Sequence, residues 1–395
     1  MKCRVLLLGF SLLVGGGRLL QAGELPVPKF RAVEIDAKIE IGYGVTVADV
    51  DGDKKPDILL ADKKQIVWYR NPTWEKFVIA ENLTKLDNVC LAAADIDGDG
   101  KAEIAVGAGW NPSDTVGSGA VFYLIPPKER TQKWEAVELP HEPTVHRMKW
   151  MRDASGRFQL VVAPLHGRGN KDGEGEGVRI LGYQMPANPR DAWNTKVVSD
   201  AFHMTHNIDL VKWDQQTEAE LLVACREGIF RLLDQSRAWQ AVQLSGKEES
   251  GFRGAGEVRS GKLPGGKRFV VTVEPMHGTQ VVVYTVPNDR GAVWKRNVID
   301  ETLKEGHALA CGDLLGVGFD QVVVGWRGKN TEGKTGVKIF TPLDKEGKTW
   351  RQNVVDEAGM ACEDLCLADL NGEGKIDIIA SGRATKNVKI YWNDR

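Results

Sequence analysis

The residues of this sequence best placed to do chemistry are histidines. Five of the seven in the chain, His146, His166, His206, His277 and His307, fall at corresponding points of a recurring pattern. His146, His206 and His307 each stand six residues before the end of a short apolar segment, at Arg152, Lys212 and Asp313. His166 and His277 follow the next apolar segment, in Pro164-Leu-His-Gly-Arg168 and Pro275-Met-His-Gly278. The same count of six reaches Tyr43, Val89, Gly256 (beside Glu257) and Glu363 in the other units. Imidazole titrates near neutrality and, when neutral, is a metal ligand. Two uses follow. Three imidazoles with a carboxylate and open positions would hold a divalent metal (Zn²⁺, Mn²⁺ or Mg²⁺) as a Lewis acid, with His146, His206 and His307 as the first ligand candidates and His166 or His277 as the alternatives that blade-to-blade distances could select. Alternatively, one histidine is a general base and Arg327 or Arg383 stabilises oxyanion charge. On either use the catalytic candidates are His166, His277, Glu257, Arg327 and Arg383. Tyr43, Trp110, Asn111, Trp326 and Glu363 are the substrate-facing candidates, with Trp110 and Trp326 able to stack on the apolar face of a sugar ring.

The elements that must bring these residues together are short strands. Four segments show one unit plainly: Val45-Thr-Val-Ala-Asp-Val-Asp-Gly-Asp53, Ala92-Ala-Ala-Asp-Ile-Asp-Gly-Asp-Gly100, Ala310-Cys-Gly-Asp-Leu-Leu-Gly316 and Leu367-Ala-Asp-Leu-Asn-Gly-Glu-Gly374. Each is followed by a second apolar strand, and three degenerate copies lie between His146 and Val273. The strand-turn-strand units recur every 46 to 60 residues, the period of a four-stranded propeller blade. Third strands such as Ile66–Tyr69 follow, and Trp74, Trp134, Trp193, Trp239, Trp294 and Trp350 open the fourth. The last unit stops after three strands, and Phe30–Ile35 matches the missing fourth. The expected fold is all-β: a seven-bladed propeller of four-stranded antiparallel blades, closed by the N-terminal strand. First strands then line the central channel, and the histidines ring one mouth.

The Asp-x-Asp-Gly-Asp-Gly turn between two strands resembles the FG-GAP/VCBS repeats of secreted and integrin-type propellers. In integrin-like members such a turn binds calcium, which Asp95, Asp97, Asp99 and Glu103 would do here through alternating oxygens; the other reading is a turn whose carboxylates accept backbone N–H groups. The middle blades resemble the propeller of aldos-2-ulose dehydratase/isomerase through Val145-His-Arg-Met-Lys-Trp150, Pro164-Leu-His-Gly-Arg168, Thr205-His-Asn-Ile-Asp209, Glu274-Pro-Met-His-Gly278 and Glu305-Gly-His307. That resemblance implies a sugar-ketone lyase site with a divalent metal near these histidines. The family's enzyme also carries cupin modules.

Composition sets the remaining bounds. The 395 residues carry 52 Lys and Arg against 54 Asp and Glu, without the basic face that nucleic acid or an anionic membrane demands. Residues 1–22 read as a signal peptide, with Lys2 and Arg4 before an apolar run, so an exported (periplasmic or extracellular) protein is expected, with residues 23–395 as one domain. No later stretch has the length of a membrane span. Cys90, Cys225, Cys311, Cys362 and Cys366 read as buried free thiols. There is no Gly-x-Ser-x-Gly, dinucleotide fingerprint or P-loop. The function expected is a metal-assisted lyase, dehydratase or isomerase acting on a keto-sugar. The alternatives are a non-catalytic scaffold binding glycan or protein, and a polysaccharide lyase whose Arg327 and Arg383 neutralise a uronate.

Overall fold

The computed structural model describes residues 25–213, 220–235, 238–246, 250–287 and 294–395, so the expected signal peptide lies outside the described residues. Among the described residues twenty-eight strands form seven four-stranded antiparallel sheets, with no helix. Numbered in chain order, blades 1 to 7 have inner strands Gly44–Ala48, Cys90–Ala94, Val145–Arg152, Thr205–Val211, Val258–Lys262, Gly306–Gly312 and Cys362–Ala368. Blade 7 takes its outer strand from Phe30–Asp36, which runs antiparallel to Asn387–Asn393 with Phe30 opposite Asn393 and Val33 opposite Ile390. The propeller and its N-terminal closure are therefore as expected.

The residue pattern explains the layering. Second strands such as Asp57–Ala61 and Glu103–Ala108 are buried along their whole length, because each blade is covered on both faces by its neighbours. Outer strands such as Glu75–Glu81 reach the rim and carry the charges. Seven apolar clusters hold the ring together, one at each blade-to-blade junction. All five described cysteines are free thiols. Among the described residues no helix is long and apolar enough to cross a membrane.

One irregularity positions the site. In blades 3, 4, 6 and 7 the pairing of inner and second strand shifts between Val145 and Arg147, Thr205 and Asn207, Gly306 and Ala308, and Cys362 and Asp364. The skipped residues are His146, His206, His307 and Glu363. A bulge of this kind re-aims one side chain without ending the strand.

Candidate functional site

Three of the histidines meet at the mouth. One nitrogen from each of His206, His277 and His307 lies within 4.8 Å of the others. The Nε2 atoms of His206 and His277 are 2.6 Å apart, and the rings of His277 and His307 stack with centroids 4.7 Å apart. His206 comes from the bulge of blade 4 and His307 from that of blade 6. His277 comes from the loop after the second strand of blade 5, where its φ of 51° lies in the left-handed region. A non-glycine residue pays for that conformation, and such residues gather at functional sites.

The repeat fixes the protons. The Nδ1–H of His146 donates to the carbonyl of His206 (2.7 Å), that of His206 to Gly256 (3.0 Å), and that of His307 to Glu363 (2.6 Å). Each acceptor is the corresponding residue of the following blade. Donation from Nδ1 leaves Nε2 as the acceptor nitrogen of each ring, the arrangement that orients metal-binding imidazoles. The His206–His277 contact is then His277 Nε2–H donating to His206, a proton that a cation would displace. Burial, followed by repulsion from neighbouring rings and arginines, holds His146 and His307 well below the usual histidine range and His277 at about 2. His206 is lowered by burial against the opposing pull of Glu257. Neutral rings are what a metal needs.

His146, expected as the third ligand, stands differently. Arg147 Nη1 donates to its Nε2 at 3.0 Å, and the indole of Trp110 stacks on the ring at 4.9 Å. Its lone pair is occupied, and His277 takes the place assigned to it. His166 makes no ring contact with the cluster; its Nδ1 is buried without a partner and its pKa is lowered by burial. Glu257 is 1% exposed and lies beside His206 Nδ1 (3.5 Å) rather than Nε2, with Asn207 donating to its Oε2. Burial would raise its carboxyl, but His206, Arg259 and Arg147 outweigh that and hold it at about 2. It is a buried anion under the ring, which removes it from the bases that reach substrate.

The other half of the mouth is an arc of paired charges. Arg327 Nη1 donates to both oxygens of Glu363 (2.8 and 2.7 Å) and its Nε to Glu305 (3.0 Å). Arg383 Nη1 donates to Glu363 at 2.8 Å and lies over the ring of Tyr43. The Tyr43 hydroxyl, pushed up to about 12 by burial and by Asp87, donates to Asp87 at 3.1 Å. Arg327 borders the cluster closely enough to depress both His277 and His307. Trp326, expected as a sugar platform, is 2% exposed; it closes its strand facing the core, with its indole N–H donating to Lys334. Asn111 accepts the Ser113 N–H in its own turn, while Trp110 is half-buried at the mouth.

The acidic turns lie at the opposite ends of the inner strands. Asp95 accepts from Gly98 and Gly100, Asp97 from Asp99, Asp99 from Lys101, and the buried Glu103 from Ile96. Blade 1 repeats this at Asp49, Asp51 and Asp53. These carboxylates serve the backbone of their own turns, and Asp95, Asp97 and Asp99 also lie close enough together to share a cation.

Sequence reasoning missed Arg147, Asn207 and Arg259 in the bore beneath the ring. The readable signal was the consecutive polar pairs His146-Arg147, His206-Asn207 and Glu363-Asp364, which break strand alternation where the bulges lie.

Comparison with known proteins agrees with this architecture. Residues 118–287, the middle blades, match the family described as aldos-2-ulose dehydratase, beta-propeller domain; residues 42–106 match an FG-GAP-like repeat and residues 91–124 an FG-GAP repeat. The middle blades are thus similar to a propeller from a carbohydrate-related enzyme family. No curated protein matches the chain at a significant level. Similar solved structures include a chain of the mitotic checkpoint complex, with TM-score 0.56, 11% identity and 99% of each chain covered. BBS1N in complex with ARL6DN gives TM-score 0.57 at 14% identity over 92% of this chain and 96% of that one. The β-propeller domain of Myceliophteria thermophila Cps50 (Swd1) gives 0.54 at 11% over 92% and 100%. At these identities the likeness concerns the fold alone.

Proposed function

We propose that this propeller is an exported carbohydrate-active enzyme of the lyase, dehydratase or isomerase class, acting on a keto-sugar at the histidine mouth. The observation that carries the reading is the convergence of His206, His277 and His307, with two of the three rings pinned through Nδ1 by main-chain carbonyls. Four of the five mouth histidines fall within the segment matched by the dehydratase propeller.

His206, His277 and His307 would hold a divalent metal, and an all-imidazole donor set favours zinc over magnesium. When bound, such an ion polarises a carbonyl oxygen and acidifies the neighbouring C–H. The protein's own groups do the rest. Arg327, held by Glu363 and Glu305, places a cation beside the trio where enolate charge develops. Trp110, braced on His146, offers the apolar wall for a pyranose face. His166, neutral and with Nδ1 buried, would present Nε2 as the base for the α-proton.

The test is zinc binding by calorimetry and elemental analysis on the parent, His307→Ala and His146→Ala. One equivalent is expected in the parent, loss of at least about 100-fold in affinity in His307→Ala, and retained stoichiometry in His146→Ala. A parent that binds no divalent metal overturns the reading. Keto-sugars are then screened for new ultraviolet absorbance from a conjugated enone. The FG-GAP matches favour a second reading, a glycan-binding scaffold, which glycan binding without turnover in the metal-loaded protein would support.

A further inference from the structure

Beneath the histidines the bore contains charges that this chemistry leaves unused. Three residues past the ring position stand Lys149, Asp209 and Arg259, and one past it Arg147, Glu257 and Asp364. Arg147, Lys149, Arg259 and Asp364 line a cavity of ≈ 70 Å³ on the axis, whereas Glu257 and Asp209 do not border it. The single carboxylate in that wall is already engaged, since its two oxygens accept the backbone N–H groups of Val45 (2.9 Å) and Leu365 (2.9 Å).

The cations are held in ion pairs, but in none that closes to a hydrogen bond. Arg147–Glu257 is 3.9 Å, Lys149–Asp209 3.6 Å, Arg259–Asp209 3.8 Å and Arg259–Glu257 3.7 Å, all beyond hydrogen-bond length. Buried pairs elsewhere close fully, Arg296–Glu274 to 2.8 Å and Lys338–Asp300 to 3.0 Å. Arg147 uses only Nη1, on His146, and Arg259 only Nη1, on the carbonyl of Val258. Among the described residues nothing accepts from the remaining guanidinium N–H groups or from the Lys149 ammonium. These N–H groups are not among the fully buried unpartnered atoms and border the cavity instead, where one group that accepts without donating can satisfy several of them at once.

We propose that the bore holds a small anion, a halide or a compact oxyanion, cradled by Arg147, Lys149 and Arg259 one layer beneath the histidine cluster. The cavity accommodates a few water-sized species and excludes a sugar ring. The charge of Arg147 bears on His146, His206, His277 and His307 alike. An anion beside it offsets that charge, so the anion and a cation at the histidines strengthen each other's binding, reciprocally. This coupling rests on the metal reading; the anion site does not.

The experiment uses the full metal-free protein. Crystals soaked in sodium bromide should give an anomalous peak in the bore against Arg259 and Arg147. In solution, sodium bromide should raise Tm relative to sodium methanesulfonate at equal ionic strength. Lys149→Gln, at a side chain 39% exposed, should weaken the bromide effect about tenfold, the worth of one charge-assisted contact. Bromide confined to the surface, or equal Tm in the two salts, overturns the proposal, and the parent crystal decides should the variant fail to fold. A bore peak in a protein that binds no zinc would sink the metal reading and sustain this one.

Discussion

A histidine that commits Nδ1–H to a main-chain carbonyl keeps a single lone pair, and the fold decides where it points. His206 and His307 do this through equivalent carbonyls, Gly256 and Glu363, so their aim is a property of the repeat. Their neutrality has a pH signature. An unfolded imidazole takes up its proton near pH 6.5, while burial and crowding keep His146 and His307 well below that and His277 at about 2. Between those limits the unfolded chain binds more protons. The stability these rings contribute is therefore complete above about pH 6.5 and declines as pH falls, by up to about 1.4 kcal/mol per unit for each ring. In metal-free protein the imidazole resonances of His146, His277 and His307 should hold their neutral positions from pH 8 to 5. A titration of any of the three with a midpoint near 6.5 would contradict the burial argument.

At the level of elements, the bulge and the loop place the trio. Gly278 follows His277, and a Cβ there would come within 2.1 Å of the Glu274 carbonyl oxygen. Gly278→Ala must move the loop, at about 1–3 kcal/mol for overpacking, and should weaken zinc binding far more than an alanine on the rim while leaving far-UV circular dichroism unchanged. Zinc titration at the parent's affinity would show that the loop does not hold His277. The inner-strand histidines were legible because Gly- and Asp-rich turns mark strand ends, so counting back finds equivalent positions. His277 was legible as an alternative ligand, but the decision for it over His146 was not, because it depends on a left-handed φ and on an arginine one residue away that fills a lone pair. Trp326 misled for a similar reason: it lies beside a long loop in sequence but closes its strand facing the core.

Across the whole molecule the ring must be closed for the mouth to have a fixed radius. The closing strand Phe30–Asp36 packs Phe30 against the junction of blades 6 and 7 and Ile35 against that of blades 7 and 1. Asp36 accepts from Tyr69 (2.7 Å) and Lys76 (2.8 Å) of blade 1, which ties the last blade to the first. Without this strand, Asn387–Asn393 becomes an unpaired edge, a template for association with other chains. Loss of the half-buried Phe30, Val33 and Ile35 side chains and these hydrogen bonds amounts to about 3–5 kcal/mol, on the order of 5 °C in Tm for a domain of this size. A chain lacking the residues up to and including Asp36 should melt correspondingly earlier and elute as oligomers. Its zinc affinity should fall as well, although no histidine lies near the cut. The Nδ1 bonds run from blade 3 to 4, 4 to 5 and 6 to 7, and their geometry is kept only while every blade is held by both neighbours. A truncated monomer with the parent's Tm would show that the inter-blade clusters alone set the ring.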